Sequence, residues 1–176
     1  MKYFVDLDDT LINSTNLNND AYNFALEKYG YSRIVTSERL TREKFKFIDK
    51  LKLDKIIELK QLYFCQDWLK YRITLNELII KKLEIYKKSN CFLWTKANKT
   101  RVLKILEECK LDRYFKEVIF DKKISFEESI TKLKNYVNSK QIVIYENNRD
   151  FFVSKNYKII DVIKNQKFDV RGYLVW

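Results

Sequence analysis

Two aspartates near the start of the chain, Asp6 and Asp8, stand two residues apart directly behind a short apolar run, Tyr3-Phe4-Val5. On a strand, that spacing sets both side chains on one face. If the strand ends at Asp6 and the chain curls, a carboxylate and a backbone carbonyl can share one cation. Two acids this close repel each other unless a metal or a shared proton relieves them. Further along, Thr95 follows the apolar run Phe92-Leu93-Trp94 and precedes a helix start at Asn98. Alone, a threonine there reads as a helix cap. With the backbone N–H groups of Lys96 and Ala97 beside it, the hydroxyl is also placed to hold a phosphate oxygen near the positive end of the next helix. The chain has no histidine, which removes Ser–His and Cys–His nucleophile systems and histidine-ligated metals. Carboxylates, lysine and threonine remain, the groups that a magnesium-dependent phosphoryl site needs.

The elements that must position these residues are legible as alternating patterns. Apolar runs predict five strands, at 2–5, 91–94, 118–120, 141–145 and 158–162. Helical patterns lie between most of them, which predicts a parallel sheet covered on both faces. The helix at 98–109 sets Val102, Leu103, Ile105 and Leu106 on an apolar face. That at 126–137 carries Ile130, Leu133 and Val137 at spacings of three and four, with Ser125 as N-cap. Residues 16–90 show no convincing strand. They predict helices at 21–29, closed by Gly30 as the C′ residue, at 54–71 and at 75–87, and more weakly at 41–51. Tyr63, Phe64, Trp68 and Tyr71 recur there at helical spacing, which reads as core more readily than as a base-stacking platform. Short crossings near 13–18 and 88–91 would tether this insert.

Composition bounds the partners. A chain of 176 residues holds one substantial core, or a compact core plus an inserted subdomain, and its 46% hydrophobic content excludes wholesale disorder. No apolar run reaches the length of a membrane span and no signal peptide precedes the strand at residue 3, so the expected location is the cytoplasm, with no membrane partner. Cys65, Cys91 and Cys109 are widely spaced among apolar neighbours and read as free buried thiols. The net charge of +11 favours an anionic substrate and keeps nucleic acid open as a partner. The abundance of Lys, Asn, Ile, Tyr and Phe, with two glycines and no proline, also matches A/T-rich coding, which would produce the charge without a binding role.

The string Asp6-Leu7-Asp8-Asp9-Thr10-Leu11 behind an apolar strand resembles motif I of the haloacid dehalogenase superfamily, in the form of its phosphatases and phosphotransferases. The resemblance implies an α/β fold, a Rossmannoid parallel sheet of about five strands with helices on both faces. It implies a core of residues 1–15 and 91–176, with a helical type 1 cap, 16–90, inserted after the first strand. It makes Asp6 the nucleophile, Asp8 the general acid and base, and Thr10 a supporting residue at the substrate loop. Thr95 becomes the phosphate-binding hydroxyl, with Lys96 and Ala97 beside it. A lysine is expected after the third strand, where Lys122 and Lys123 are both candidates; the family's Lys-x-Ser/Thr pattern favours Lys123. In the run Tyr145-Glu146-Asn147-Asn148-Arg149-Asp150, Glu146 and Asp150 join Asp6 and Asp8 as ligands of Mg2+, and which of the two binds directly stays open. The commonest form of that motif has glycine and aspartate where Tyr145 and Glu146 stand. Arg149 resembles the arginine of nucleotide- and nucleic-acid-end phosphatases, one residue out of register.

The implied activity is Mg2+-dependent hydrolysis of a phosphomonoester through an aspartyl phosphate, with a small phosphorylated metabolite or nucleotide as substrate. Two alternatives stand beside it: a phosphatase acting on 3′ or 5′ phosphates of DNA or RNA, and a non-catalytic binding protein on a decayed core of this family. The oligomeric state is not legible.

Overall fold

Apolar runs form the central strands, KYFV, CFLWT, EVIF and IVIYE. The computed structural model describes residues 1–65, 72–152, 157–165 and 167–176. In chain order its elements are β1 (Lys2–Val5), β2 (Ile12–Asn13), α1 (Thr15–Lys28), α2 (Lys50–Phe64), β3 (Thr74–Leu75), α3 (Glu77–Ile85), β4 (Cys91–Thr95), α4 (Lys99–Glu108), β5 (Glu117–Phe120), α5 (Phe126–Val137), β6 (Ile142–Glu146), β7 (Tyr157–Lys164) and β8 (Asp169–Val175). Packing divides the chain into two compact units, Met1–Asn13, Thr74–Ala97 and Lys110–Trp176 in one, Ser14–Ile73 and Asn98–Cys109 in the other. The insert expected at 16–90 is thus shared out: residues 74–90 pack with the sheet, and α4 packs with the helices. No described helix is long and apolar enough to cross a membrane.

The first unit is built on a six-stranded sheet of order β5-β4-β1-β6-β8-β7. Strands β5, β4, β1 and β6 run parallel, as predicted. The sheet has one strand more than the five expected, and it is not wholly parallel. Strand β8 enters antiparallel between β6 and β7, so β7 lies at the edge instead of beside β6. Burial on both faces explains the continuous apolar runs of β4 and β6, every residue of which is buried. One core gathers Phe4, Phe92, Trp94, Ile142, Ile144 and Tyr173 from the sheet with Phe126, Ile130 and Leu133 of α5. Burying a side chain of this size contributes about 1.5–3 kcal/mol. Helix α5 starts where its cap predicts: the Ser125 hydroxyl oxygen accepts from the Glu128 N–H at 3.3 Å.

Strand β8 makes the room for the bulk of Tyr145. Gly172 is its register partner, and a Cβ there would lie 2.9 Å from Tyr145 Cε1 and 3.2 Å from Asp161 Cβ. The Tyr145 hydroxyl shares a hydrogen bond of 2.9 Å with that of Tyr86, whose ring stacks on Tyr3 at 3.7 Å. Because side chains alternate along a strand, this places the Tyr145 ring on the face opposite Glu146.

In the second unit α1 packs on α2 around Tyr22, Ala25, Leu26, Leu53 and Ile56. Gly30 closes α1 at φ +80, as expected of a C′ glycine. The weak helix expected at 41–51 is a 3-10 turn over Arg42–Phe45, and α2 begins afresh at Lys50. The reason is Asp49, whose carboxylate accepts from the N–H groups of Leu51 and Lys52 and caps a new helix. The far end of the helix predicted at 54–71, with Trp68 and Tyr71, lies outside the described residues. Phe64 is fully buried and Tyr63 stacks on Phe24 at 4.5 Å. Polar residues contribute here beside the apolar ones. Three asparagines on one side of α1 hold the extended segment after it: Asn23 brackets both backbone groups of Ile34, Asn19 donates to the Glu38 carbonyl at 2.7 Å and accepts from the Leu40 N–H at 2.8 Å, and Asn18 donates to the Leu40 carbonyl at 2.9 Å. The three cysteines are free; Cys91 is buried and the other two are partly so.

Candidate active site

Four parallel strands end side by side, and each delivers one of the polar groups singled out in the sequence. At the end of β1 the Asp6 N–H still donates to the Tyr145 carbonyl at 3.0 Å, which fixes its backbone in the sheet. The chain then curls as the paired aspartates suggested. Asp9 takes φ +58, and the N–H groups of Leu11 and Ile12 both return to the Leu7 carbonyl at 3.0 Å. Asp8 lies half-buried on this loop. Two residues brace it. Asn76 donates to the carbonyl of Thr10 from its side chain at 2.9 Å and to that of Leu11 from its backbone at 2.8 Å. The buried Thr10 hydroxyl donates to Asn147 Oδ1 at 3.3 Å, which joins this loop to the one after β6.

At the end of β4, Thr95 is buried and its Oγ1 accepts from the Ala97 N–H at 3.1 Å. The Ala97 N–H therefore serves the threonine in this structure, while the hydroxyl keeps its own proton as a donor. Lys96 is exposed. After β5 the two lysines separate. Lys122 is exposed, whereas Lys123, at φ +52, turns inward and donates from Nζ to Asp6 Oδ1 at 2.6 Å and to Glu146 Oε2 at 2.7 Å. At the end of β6, Glu146 is 3% exposed, and its second oxygen accepts from the N–H groups of Asn147 and Asn148, each at 3.1 Å. Asp150 is exposed, on a 3-10 turn over Arg149–Phe151, and Arg149 pairs with Asp169. The structure thus brings Asp6, Lys123 and Glu146 together, with Thr10 tied in through Asn147, and leaves Lys96, Lys122 and Asp150 at the surface.

The centre holds two buried carboxylates and one ammonium. Burial pushes the Asp6 pKa up to about 7 and the Glu146 charge adds to the rise, with Lys123 pulling the other way. Burial works against the charge on Lys123, but Asp6 and Glu146 outweigh it and hold its pKa above the ordinary lysine value. With both acids ionised, one negative charge is left over in a place with little water to solvate it. Among the described residues no three His, Cys, Asp or Glu side chains gather into a metal cage. A pair of carboxylates is nonetheless the donor set that suits Mg2+, which keeps several waters and takes one or two protein carboxylates beside a substrate phosphate. The excess negative charge points the same way.

Sequence reasoning passed over Asn76, Asn147, Asp121 and Trp94. Asn147 and Asp121 sit beside quoted motif residues, and that adjacency was the available signal. Asn76 opens a helix 66 residues on from Thr10 in the loop it braces, and nothing in the sequence joins the two.

No protein-family model and no curated protein sequence matches the chain. Solved structures do. A haloacid dehalogenase family IA hydrolase from Entamoeba histolytica aligns over 79% of this chain and 71% of its own, with TM-score 0.64 at 16% identity. A haloacid dehalogenase-like hydrolase from Streptococcus pneumoniae aligns over 79% and 70%, with TM-score 0.62 at 15% identity. A predicted phosphatase from Clostridium acetobutylicum aligns over 81% and 74%, with TM-score 0.58 at 19% identity. At these identities the likeness is one of fold, and it spans most of the chain: the protein has the haloacid dehalogenase fold.

Proposed function

We propose that the chain is a Mg2+-dependent phosphomonoester hydrolase that works through an aspartyl phosphate on Asp6. The observation that carries this reading is the buried Asp6–Lys123–Glu146 centre at the ends of three parallel strands. Asp6, Glu146 and the Asp8 backbone carbonyl are the groups that would hold Mg2+. When bound, it would neutralise phosphate charge so that one anion can approach another.

A carboxylate oxygen of Asp6 attacks phosphorus, and the bond from phosphorus to the ester oxygen breaks. Protonated Asp8 donates its proton to that leaving oxygen. In the second step Asp8 takes a proton from water, which attacks the phosphoryl group and returns Asp6 as a carboxylate with release of inorganic phosphate. The Thr95 hydroxyl and the Lys123 ammonium hold nonbridging oxygens through both steps. The substrate is a small phosphorylated metabolite or nucleotide. The net charge of +11 favours a second reading, phosphate ends of DNA or RNA. Several backbone contacts would make affinity fall steeply with salt, and one bound phosphate would not.

The test is phosphate release from an aryl phosphate with Mg2+ or with a chelator. Wild type should release phosphate only with the metal, and Asp6→Asn should lose about a thousandfold or more. Near-normal, metal-dependent turnover by Asp6→Asn would falsify the reading.

A further inference from the structure

Lys123 enters the centre on a left-handed backbone, φ +52, that few residues other than glycine, asparagine and aspartate adopt. Two neighbours stand beside it. Against burial, which raises it most, the nearby Ser129 hydroxyl and Lys123 backbone N–H help to bring the Asp121 pKa below its ordinary value. An aspartate in this place can shape the chain that follows it. The Asp121 N–H itself donates to the Thr95 carbonyl at 3.0 Å, so the turn hangs from the end of β4. Trp94, one residue earlier on that strand, donates from Nε1 to Asp121 Oδ2 at 3.2 Å. Its ring centroid lies 4.1 Å from Lys123 Nζ.

Trp94 is fully buried and packs against Phe151, with ring centroids 5.7 Å apart. Any large apolar side chain would fill that space. What tryptophan adds is one N–H donor and the most electron-rich ring face among the side chains, and both are engaged with the same turn. A ring face attracts a cation without offering a carboxylate or carbonyl to compete for its hydrogens.

We propose that Trp94 is a positioning residue: its ring seats the Lys123 ammonium against Asp6 and Glu146, while its indole N–H fixes Asp121, which holds the turn that carries Lys123. The inference rests on Lys123 being the cation that stabilises the transferring phosphoryl group.

Two measurements test it, and one needs no activity. By proton NMR of the metal-free protein, the Lys123 Cε methylene should show an upfield ring-current shift, assigned by its loss in Lys123→Ala. Trp94→Leu should abolish the shift; Trp94→Phe, which keeps both a ring and a filled core, should retain it. In turnover of an aryl phosphate with Mg2+, Trp94→Leu should lower kcat about 30-fold and Trp94→Phe less than about fivefold. In a Lys123→Ala background, Trp94→Leu should add nothing, because a residue acting only through Lys123 then has nothing to position. An unshifted Lys123 methylene in wild type, or losses that multiply in the double variant, overturn the proposal. The upfield shift in a wild type that releases no phosphate supports the seat and overturns the hydrolase reading.

Discussion

Asn18, Asn19 and Asn23 in the helical unit and Asp6, Lys123 and Glu146 in the sheet unit are two sets of buried polar side chains under opposite conditions. The asparagines are neutral, and their amides meet backbone groups of the segment from Ile34 to Leu40. A buried amide with its hydrogen bonds made stabilises the fold and has little reason to react. The charged set shares one ammonium between two carboxylates, and burial, with the Glu146 charge adding to it, pushes the Asp6 pKa up to about 7. Burial alone therefore does not mark a functional residue. Burial with an uncompensated charge, at the ends of parallel strands, marks a candidate for one.

Removing the shared cation should produce the largest effect. Lys123→Ala leaves two buried carboxylates facing each other, which should lower stability by about 3 kcal/mol at pH 8. It should also cost about a hundredfold or more in kcat. Chemical denaturation beside turnover checks both, and an unchanged midpoint would mean that the acids are not in contact through this lysine.

The asparagines should matter for stability in a different way. Asn19→Ala strands the Leu40 N–H and the Glu38 carbonyl, and should cost about 2–3 kcal/mol in the same denaturation assay. The loss should be the same at pH 5 and pH 8, since no charge is involved. A pH-dependent loss would show that the two sets are coupled and would blur the contrast.

The last effect is a slope with pH. The Asp6 pKa in the fold lies near 7, above its ordinary 3.8, so between those values the folded chain keeps a proton that the unfolded chain has lost. Stability of the metal-free protein should therefore fall as pH rises from about 4 to about 7, by up to about 1.4 kcal/mol per pH unit. Lys123, with its pKa held above the ordinary lysine value, keeps its charge throughout that window. Asp6→Asn should flatten the slope. Thermal unfolding across the range in a chelating buffer reads it directly, and a slope that persists in the variant assigns it to another group.

Much of this centre was visible before any coordinates, because Asp6, Thr95 and Glu146 each close an apolar run that reads plainly as a strand. The choice between Lys122 and Lys123 needed the turn, since only the left-handed backbone at Lys123 aims one lysine inward. Strand β8 was missed for a physical reason: Asp169-Val170-Arg171-Gly172 breaks the apolar run, and the glycine that weakens the pattern is what accommodates Tyr145. The segment from Ile34 to Leu40 carries no hydrophobic period either, because side-chain amides from α1 hold it where apolar contacts would otherwise do so. Asp150 was placed by motif spacing alone, and a 3-10 turn after Glu146 leaves it at the surface.

If Asp6 attacks phosphorus, the bond it forms can be caught directly. Wild-type protein mixed briefly with an aryl phosphate and Mg2+, quenched in acid and digested, should yield an acid-stable, base-labile phosphoryl adduct on the peptide that contains Asp6, detected by mass spectrometry. The adduct should be absent from Asp6→Asn and from samples with chelator. Phosphate release by wild type with the adduct on another residue would contradict the account.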